Sequence, residues 1–213
     1  MTAEPSPLAE YLAAHFAPED AALAAVRTGH RDADLPTIHI SAAEGAILQM
    51  LIRLLGARRV LEVGTLGGYS GIWLARGLAP GGRLITIEGD EGHAAHARAA
   101  FERAGVADRV DLRCGEARDT MASLDGPFDA IFLDADKAPL PEYLDLSLRL
   151  LRVGGLLLCD NTFMDGRIAD PDADGADLRG MREFNRRMAA DRRFTTAVIP
   201  VRDGLLAAVR VAP

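Results

Sequence analysis

Short apolar segments alternate with longer amphipathic segments between Arg59 and Cys159 of the 213-residue chain. We predict strands in the apolar segments and helices between them. The predicted strands are Arg59 to Val63, Arg83 to Ile87, Val110 to Arg113, Phe128 to Leu133 and Leu156 to Cys159. The predicted helices are Ser70 to Leu78, Glu91 to Ala104, Ala117 to Ser123 and Pro141 to Leu151. Strands that are apolar on both faces and alternate with helices indicate a parallel sheet covered on both sides.

The residues before this region show helical spacing. An apolar residue recurs every three or four positions at Leu8, Tyr11, Leu12 and Phe16. We therefore predict that residues 1–36 form a helical arm, with a second helix at about Asp20 to Thr28. Ser41, followed three positions later by Glu44, matches a capping box and predicts the start of a further helix.

The C-terminal segment has a different pattern. Two apolar segments, Phe194 to Val201 and Leu205 to Val211, flank a turn-like Arg202-Asp203-Gly204 sequence and predict a β-hairpin. The hairpin adds an antiparallel edge to the parallel sheet. The whole pattern predicts one domain over residues 1–213, with a doubly wound, Rossmann-like and mostly parallel sheet of seven strands.

Composition excludes several classes of protein. Hydrophobic residues make up 49% of the chain and charged residues 26%, an ordinary globular balance. The net charge of -7 disfavours a nucleic-acid partner. No segment approaches the roughly 20 apolar residues of a membrane span, and the N-terminus does not resemble a signal peptide, so we expect a cytoplasmic protein. We expect Cys114 and Cys159, each in a strand-like segment, to be buried reduced thiols.

A glycine-rich turn follows the first predicted strand, in the sequence VLEVGTLGGYS from Val60 to Ser70. In open α/β sheets, ligands bind at the carboxyl ends of the strands. Gly64, Gly67 and Gly68 would let the backbone approach a ligand closely. Glycines alone are a weak signal, because a tight strand-to-helix turn also needs them for steric reasons.

Glu62 indicates which ligand the glycine turn would bind. Dinucleotides place a pyrophosphate here and favour the spacing G-x-G-x-x-G, which this sequence lacks. A carboxylate would repel a pyrophosphate but attract the amine or sulfonium of S-adenosylmethionine. Glu88, at the end of the second strand, is placed to hold the ribose hydroxyls, and the small residue Ala117 would lie beside the adenine.

Oxygen-bearing side chains follow two more strands. Phe128 to Leu133 leads into Asp134-Ala135-Asp136-Lys137, and Leu156 to Cys159 leads into Asp160-Asn161. Because the two strands are expected to be neighbours, Asp134, Asp160 and Asn161 can converge on one divalent cation. Hard oxygen donors favour Mg²⁺, Mn²⁺ or Ca²⁺ over Zn²⁺. The alternative is that these residues only terminate strands.

His93 and His96 are a competing pair of metal ligands. They lie three positions apart on a predicted amphipathic helix. No third ligand is evident, so we expect them to form a solvated pair.

These motifs, in this order and spacing, resemble the cation-dependent O-methyltransferases typified by the caffeoyl-CoA and catechol enzymes. The resemblance extends from about Leu35 to the closing hairpin, and FLDADK followed by a DN pair is its most specific part. It implies an S-adenosylmethionine-dependent enzyme that methylates a small aromatic diol and forms a homodimer.

The resemblance also implies a role for each matching position. Lys137 stands at the position of the general base. The implied metal ligands are Asp134, Asp160 and Asn161. The implied cofactor residues are Ile40, Glu62, Gly64, Thr65, Ser70, Glu88, Ala117 and Asp136. Ile40 and Met164 depart from the family pattern, which has a small hydroxyl residue and often a tryptophan there, so the acceptor stays open.

Two rival functions remain at this point. One is an NAD-dependent oxidoreductase on a related fold, against which Glu62 and the glycine spacing argue. The other is a non-catalytic S-adenosylmethionine-binding protein, which would need neither Lys137 nor metal ligands. Fold alone does not decide between them.

Overall fold

The structure is a computed structural model that describes residues 7–32, 36 and 38–213. Its strands are β1 (Arg59–Val63), β2 (Arg83–Glu88), β3 (Val110–Cys114), β4 (Phe128–Leu133), β5 (Leu151–Cys159), β6 (Phe194–Ile199) and β7 (Leu205–Arg210). Its helices are α1 (Pro7–Phe16), α2 (Ala21–Asp32), α3 (Ala42–Leu55), α4 (Tyr69–Gly77), α5 (Glu91–Arg103), α6 (Ala117–Ser123), α7 (Leu140–Leu150) and α8 (Ala176–Ala190).

The strands form one seven-stranded sheet in the order β3-β2-β1-β4-β5-β7-β6. The first five strands in this order pair in parallel. The last two pair antiparallel and form the C-terminal hairpin beside β5. The predicted fold class is therefore confirmed, and the chain order reverses between β1 and β4, where such sheets bind ligands.

Two apolar cores cover the two faces of the sheet. Helices α2, α3, α4 and α5 pack on one face, where Leu23, Leu48, Ile72 and Phe101 are buried. Helices α6, α7 and α8 pack on the other, where Met121, Leu144, Met181 and Phe184 are buried. This arrangement explains why the parallel strands are apolar on both faces.

The start of α3 matches its prediction in detail. Ser41 is the N-cap, and its side chain accepts a hydrogen bond from the Glu44 backbone N–H. The Glu44 carboxylate accepts one from the Ser41 backbone at 2.9 Å. Gly56 ends the helix in a left-handed conformation. The capping box fixes where Glu44 lies, and its side chain is buried beside the cavity described below.

Several sequence-based expectations need correction. The pattern assigned no element between Asp177 and Arg193, where α8 lies; its buried residues, Leu178, Met181, Phe184 and Met188, do show helical spacing. Strand β5 begins at Leu151, five residues earlier than predicted, because a register shift lets its first residue pair with Phe128. Cys114 is exposed, since β3 is an edge strand; Cys159 is buried as expected.

Two further expectations concern the N-terminal arm and membrane-spanning segments. The predicted arm contains α1 and α2, but residues 1–6, 33–35 and 37 lie outside the described part. None of the helices in the described ranges combines the length and apolar character needed to span a bilayer.

Gly180 on α8 allows this helix to approach the loop after β4. A Cβ there would lie 2.1 Å from the Lys137 carbonyl oxygen and 2.7 Å from the Ala138 Cα. We predict that Gly180→Ala lowers the free energy of unfolding by about 1–3 kcal/mol, because backbone must move to admit the methyl group. Urea denaturation measures the change.

Gly29 on α2 supplies the matched control. A Cβ there meets nothing within 4 Å. Gly29→Ala should stabilise the protein by up to about 1 kcal/mol, since alanine is the better helix former. Equal effects of the two substitutions would contradict the close approach of α8.

Candidate functional site

A cavity of about 1230 Å³ opens at the carboxyl ends of the parallel strands. Ten of the twelve predicted site residues line it: Ile40, Gly64, Thr65, Ser70, Glu88, Ala117, Asp134, Asp136, Lys137 and Asn161. The other two, Glu62 and Asp160, are buried at strand ends. The structure therefore gathers the predicted residues around one cavity.

The glycine turn closely approaches the neighbouring strand. Gly64 has a φ of 100°, and a Cβ there would lie 2.1 Å from the Asp134 carbonyl oxygen. Its N–H donates to the Ile87 carbonyl at 3.0 Å. Leu66 also adopts a left-handed conformation, and its N–H donates to Glu88 Oε2 at 2.7 Å. Only glycine fits position 64, because the ends of β1 and β4 lie side by side there.

Glu62 is a fully buried carboxyl group beneath this turn. Its Oε2 accepts a hydrogen bond from the Thr86 hydroxyl at 2.6 Å, while its Oε1 has no hydrogen-bond partner. Burial raises the pKa of Glu62 to about 7, although hydrogen bonding from Ser70 and Thr86 lowers it in part. An unpartnered buried oxygen is costly unless a ligand satisfies it.

Glu88 anchors the second edge of the cavity. Its Oε1 accepts from the Asp90 N–H at 3.0 Å, and Asp90 in turn caps α5. His93 Nδ1 lies 3.5 Å from the same Oε1, and the His93 side chain is half-buried. His96 is exposed and contacts the Gly92 carbonyl instead. The expectation of a solvated histidine pair is therefore wrong for His93, which faces Glu88.

Asp134 and Lys137 form an ion pair just past β4. Lys137 Nζ donates to Asp134 Oδ1 at 3.0 Å, and both side chains are largely buried. Burial raises the pKa of Asp134 to about 6, which the Lys137 charge partly opposes. Burial lowers the pKa of Lys137, but the nearby carboxylates, Asp134 first, leave it above its ordinary value.

Asp160 ends the adjacent strand β5. Its backbone N–H donates to the Leu133 carbonyl, the residue just before Asp134, at 3.2 Å. Its Oδ1 accepts from the Asn161 N–H, but its buried Oδ2 has no hydrogen-bond partner. Burial and the neighbouring Glu44 carboxylate raise the pKa of Asp160 to about 7. Asp134 and Asp160 thus follow two adjacent strands at the same edge of the sheet, as predicted.

The segment after Asn161 forms one wall of the cavity. Asn161 has a φ of 60°, and the Asp165 N–H of the same segment donates to Asp203 Oδ1 on the hairpin turn at 2.7 Å. The Arg182 guanidinium on α8 donates to four backbone carbonyls of this wall, those of Arg167, Ile168, Asp170 and Ala173. A wall with little regular structure is thus tied to a helix.

Comparison with known proteins identifies the family. A model of the O-methyltransferase family matches residues 13–211. A catechol O-methyltransferase of Niastella koreensis is 44% identical over 177 residues, 81% of this chain and 80% of the relative. One from Mycobacterium tuberculosis is 47% identical over 160 residues, 75% of this chain and 72% of the relative. The chain belongs to the O-methyltransferase family.

A solved structure agrees with this assignment. The O-methyltransferase TomG of Streptomyces achromogenes, crystallised with S-adenosylmethionine, superimposes with a TM-score of 0.92 at 38% identity, over 98% of this chain and 97% of that one. The predicted family and enzyme class, an S-adenosylmethionine-dependent O-methyltransferase, are therefore confirmed. The NAD-dependent oxidoreductase is set aside.

The donor set of this O-methyltransferase fits a hard divalent cation. Asp134 and Asp160 supply carboxylates, Asp160 Oδ2 has no hydrogen-bond partner, and Asn161 adds an amide oxygen at the next position. Within the described ranges, no three His, Cys, Asp or Glu side chains are grouped to hold a metal. A cation here would complete its coordination with Asn161, water or substrate, as Mg²⁺ often does.

Sequence reasoning missed several residues of the site. The Thr86 hydroxyl donates to Glu62 at 2.6 Å. Arg202 Nη1 lies 3.7 Å from Asp160 Oδ2 and 4.0 Å from Glu44 Oε2. Glu44 was assigned only a capping role, and its buried position follows from the packing of α3. Arg202 was assigned only to a turn. No local pattern indicates that such distant segments meet.

Proposed function

We propose that this O-methyltransferase transfers the methyl group of S-adenosylmethionine to one hydroxyl of a catechol-type aromatic diol, with the help of a divalent cation. The observation that carries the proposal is the convergence of Asp134, Lys137, Asp160 and Asn161 beside the glycine turn, at the edge of one cavity. The names of the catechol O-methyltransferase relatives support the acceptor class. Aromatic rings of Tyr69 and Phe163 in the cavity lining suit a planar acceptor.

The glycine-turn side of the cavity would hold the cofactor. The buried Glu62, the backbone of Gly64 and Thr65, and Ser70 would hold the methionine part. Glu88 already accepts backbone hydrogen bonds with both oxygens and would bind the ribose hydroxyls. Ala117 and Asp136 would border the adenosine, with the buried Ile40 contributing a backbone contact. Opposite charge would favour the sulfonium and amine beside Glu62.

We predict that S-adenosylmethionine binding weakens as the pH falls below about 7. The pKa of Glu62 is about 7, so the carboxyl group is neutral at lower pH and must lose a proton to pair with a cationic ligand. Calorimetry in buffers of different ionisation enthalpy measures proton release near pH 6. Glu62→Gln should bind more weakly and release no proton. An unchanged proton release in this variant would remove Glu62 from the cofactor site.

The cation would be held by Asp134, Asp160 and Asn161. Mg²⁺ is the first candidate for these ligands, with Mn²⁺ and Ca²⁺ as alternatives. When bound, a divalent cation supplies positive charge that lowers the pKa of a coordinated hydroxyl. The buried Oδ2 of Asp160 supports this assignment, because it accepts no hydrogen bond and the Arg202 guanidinium, 3.7 Å away, is too distant to donate one.

Lys137 would act as the general base. Its Nζ is within hydrogen-bond distance of Asp134, whose negative charge holds the pKa of Lys137 high. Coordination of Asp134 would withdraw that charge from Nζ and lower the pKa of Lys137. Its amine would then accept the proton of the acceptor hydroxyl, and the oxygen would attack the methyl carbon in line with the departing sulfur.

We predict that Lys137→Ala lowers kcat by about 100-fold or more, the usual contribution of a general base. Binding of S-adenosylmethionine, measured by calorimetry, should stay within about twofold of the wild type, because the proposed cofactor residues are elsewhere. Lys137→Arg is the matched control: it keeps a positive charge but is a much weaker base and should also fail. A wild-type rate in either variant would contradict the role of Lys137.

The direct test of function is methylation of catechol with labelled S-adenosylmethionine. We expect turnover with Mg²⁺, loss of turnover with excess EDTA, and recovery when Mg²⁺ is restored in excess. Turnover that is indifferent to EDTA would contradict the cation. Cofactor binding without methylation of any vicinal diol would contradict the proposed acceptor class.

We also propose a homodimer located in the cytoplasm. Large apolar side chains remain exposed on α1 and α3, including Leu8, Tyr11, Phe16, Met50 and Leu54. Contiguous exposed apolar surface is typical of an interaction site. Light scattering of the purified protein tests the homodimer, and a monomer at micromolar concentration would contradict it.

A further inference from the structure

Arg202 lies in the turn between β6 and β7 and has no role in the proposed reaction. Its φ is 46°, a left-handed conformation that is uncommon for residues other than glycine. The turn is closed by hydrogen bonds from Val201 to the Ile199 carbonyl and from Gly204 to the Val201 carbonyl, both 2.8 Å. Asp203 ties the same turn to Asp165 on the cavity wall. The backbone that carries Arg202 is therefore fixed beside the cavity.

The Arg202 guanidinium faces two buried carboxylates across a gap. Its Nη1 lies 3.7 Å from Asp160 Oδ2 and 4.0 Å from Glu44 Oε2. Both distances allow charge attraction but exceed a hydrogen bond. The side chain is 35% exposed and lines the cavity. Attraction to these two carboxylates thus holds the Arg202 guanidinium at the cavity surface.

This guanidinium keeps its hydrogen-bonding capacity. Among the described residues, none accepts a hydrogen bond from it within 3.5 Å, although it carries five N–H donors. The buried cation of the cluster, Lys137, is already hydrogen-bonded to Asp134. A planar fork of free donors fits a carboxylate through two parallel hydrogen bonds.

The charged groups around Arg202 nearly balance one another. The cluster holds three carboxylates, Glu44, Asp134 and Asp160, and two cations, Lys137 and Arg202. With the divalent cation proposed above offsetting Asp134 and Asp160, and with Lys137 neutral as the proposed base, Glu44 and Arg202 would remain as one negative and one positive charge. A carboxylate on the acceptor would therefore be held by the hydrogen bonds of the Arg202 guanidinium and not by a net positive charge of the cluster.

From these contacts we infer that Arg202 binds a carboxylate on the methyl acceptor, so that the preferred substrates are aromatic vicinal diols that carry a carboxylate. The inference rests on the proposed function and specifies its substrate class. The rival interpretation is that Arg202 only offsets the charges of Glu44 and Asp160. The two interpretations differ in whether the enzyme distinguishes a charged acceptor from a neutral one of the same shape.

The test compares 3,4-dihydroxybenzoate with 3,4-dihydroxybenzamide, which have the same diol and nearly the same shape. Their kcat/KM values are measured with Mg²⁺ and S-adenosylmethionine. The wild type should prefer the carboxylate by about tenfold, as expected for a charge-assisted hydrogen bond. Arg202→Gln should bring the ratio close to one. Arg202→Lys should keep part of the preference, because it keeps the charge but not the fork.

Arg186→Gln is the matched control. Arg186 is exposed on α8 and pairs with Glu183, so this variant should keep the wild-type ratio. Arg167, which also lines the cavity, is replaced by glutamine in a separate variant. Cofactor-induced thermal stabilisation shows that each variant is folded.

Three results would overturn the inference. The wild type could methylate both compounds equally well, the folded Arg202→Gln variant could keep the preference, or Arg167→Gln alone could abolish it. In each of these cases methylation still occurs, so the proposed function stands. Failure to methylate all three compounds, the benzoate, the benzamide and catechol, would contradict the proposed function and the inference with it.

Discussion

The site depends on keeping two carboxylates, Asp134 and Asp160, largely buried at the ends of neighbouring parallel strands. The ladder between β4 and β5 places Leu133 opposite Cys159, so the next residue of each strand emerges at the same edge. Burial raises the pKa of both groups, to about 6 and about 7. Carboxylates in such a position are unfavourable unless cations balance them. The two carboxylates therefore require positive charge at this edge of the sheet.

Other elements supply part of that charge and determine the character of the cavity. Lys137 meets Asp134 from the loop after β4, and Arg202 approaches Asp160 from the hairpin turn. Beneath the glycine turn, the buried carboxyl group of Glu62 supplies a second acidic position, which suits a cationic methyl donor. The chemistry proposed for this O-methyltransferase follows from these two electrostatic regions, which a single sheet edge holds side by side.

Residues that directly follow strands could be predicted from the sequence, and those contributed by other elements could not. The alternation of strands and helices determines which strand ends are neighbours, so the sequence alone predicts that Asp134 and Asp160 lie close together. Glu44 and Arg202 belong to a helix start and a hairpin turn, and their local patterns describe only capping and turning. Helix α8 was missed although its buried residues have helical spacing, because its many charged residues obscure a narrow apolar face. The assigned roles of the site residues, the cation and the dimer remain predictions.

The most direct test of the central claim is Mn²⁺ binding, followed by electron paramagnetic resonance without any acceptor. We expect the wild type to bind a single ion per chain and Asp160→Asn to bind at least about tenfold more weakly, because a buried ligand loses its charge. Asp136→Asn, which alters an exposed carboxylate of the same cavity, should bind like the wild type. Equal affinity of the wild type and Asp160→Asn, or no binding to the wild type, would contradict the account.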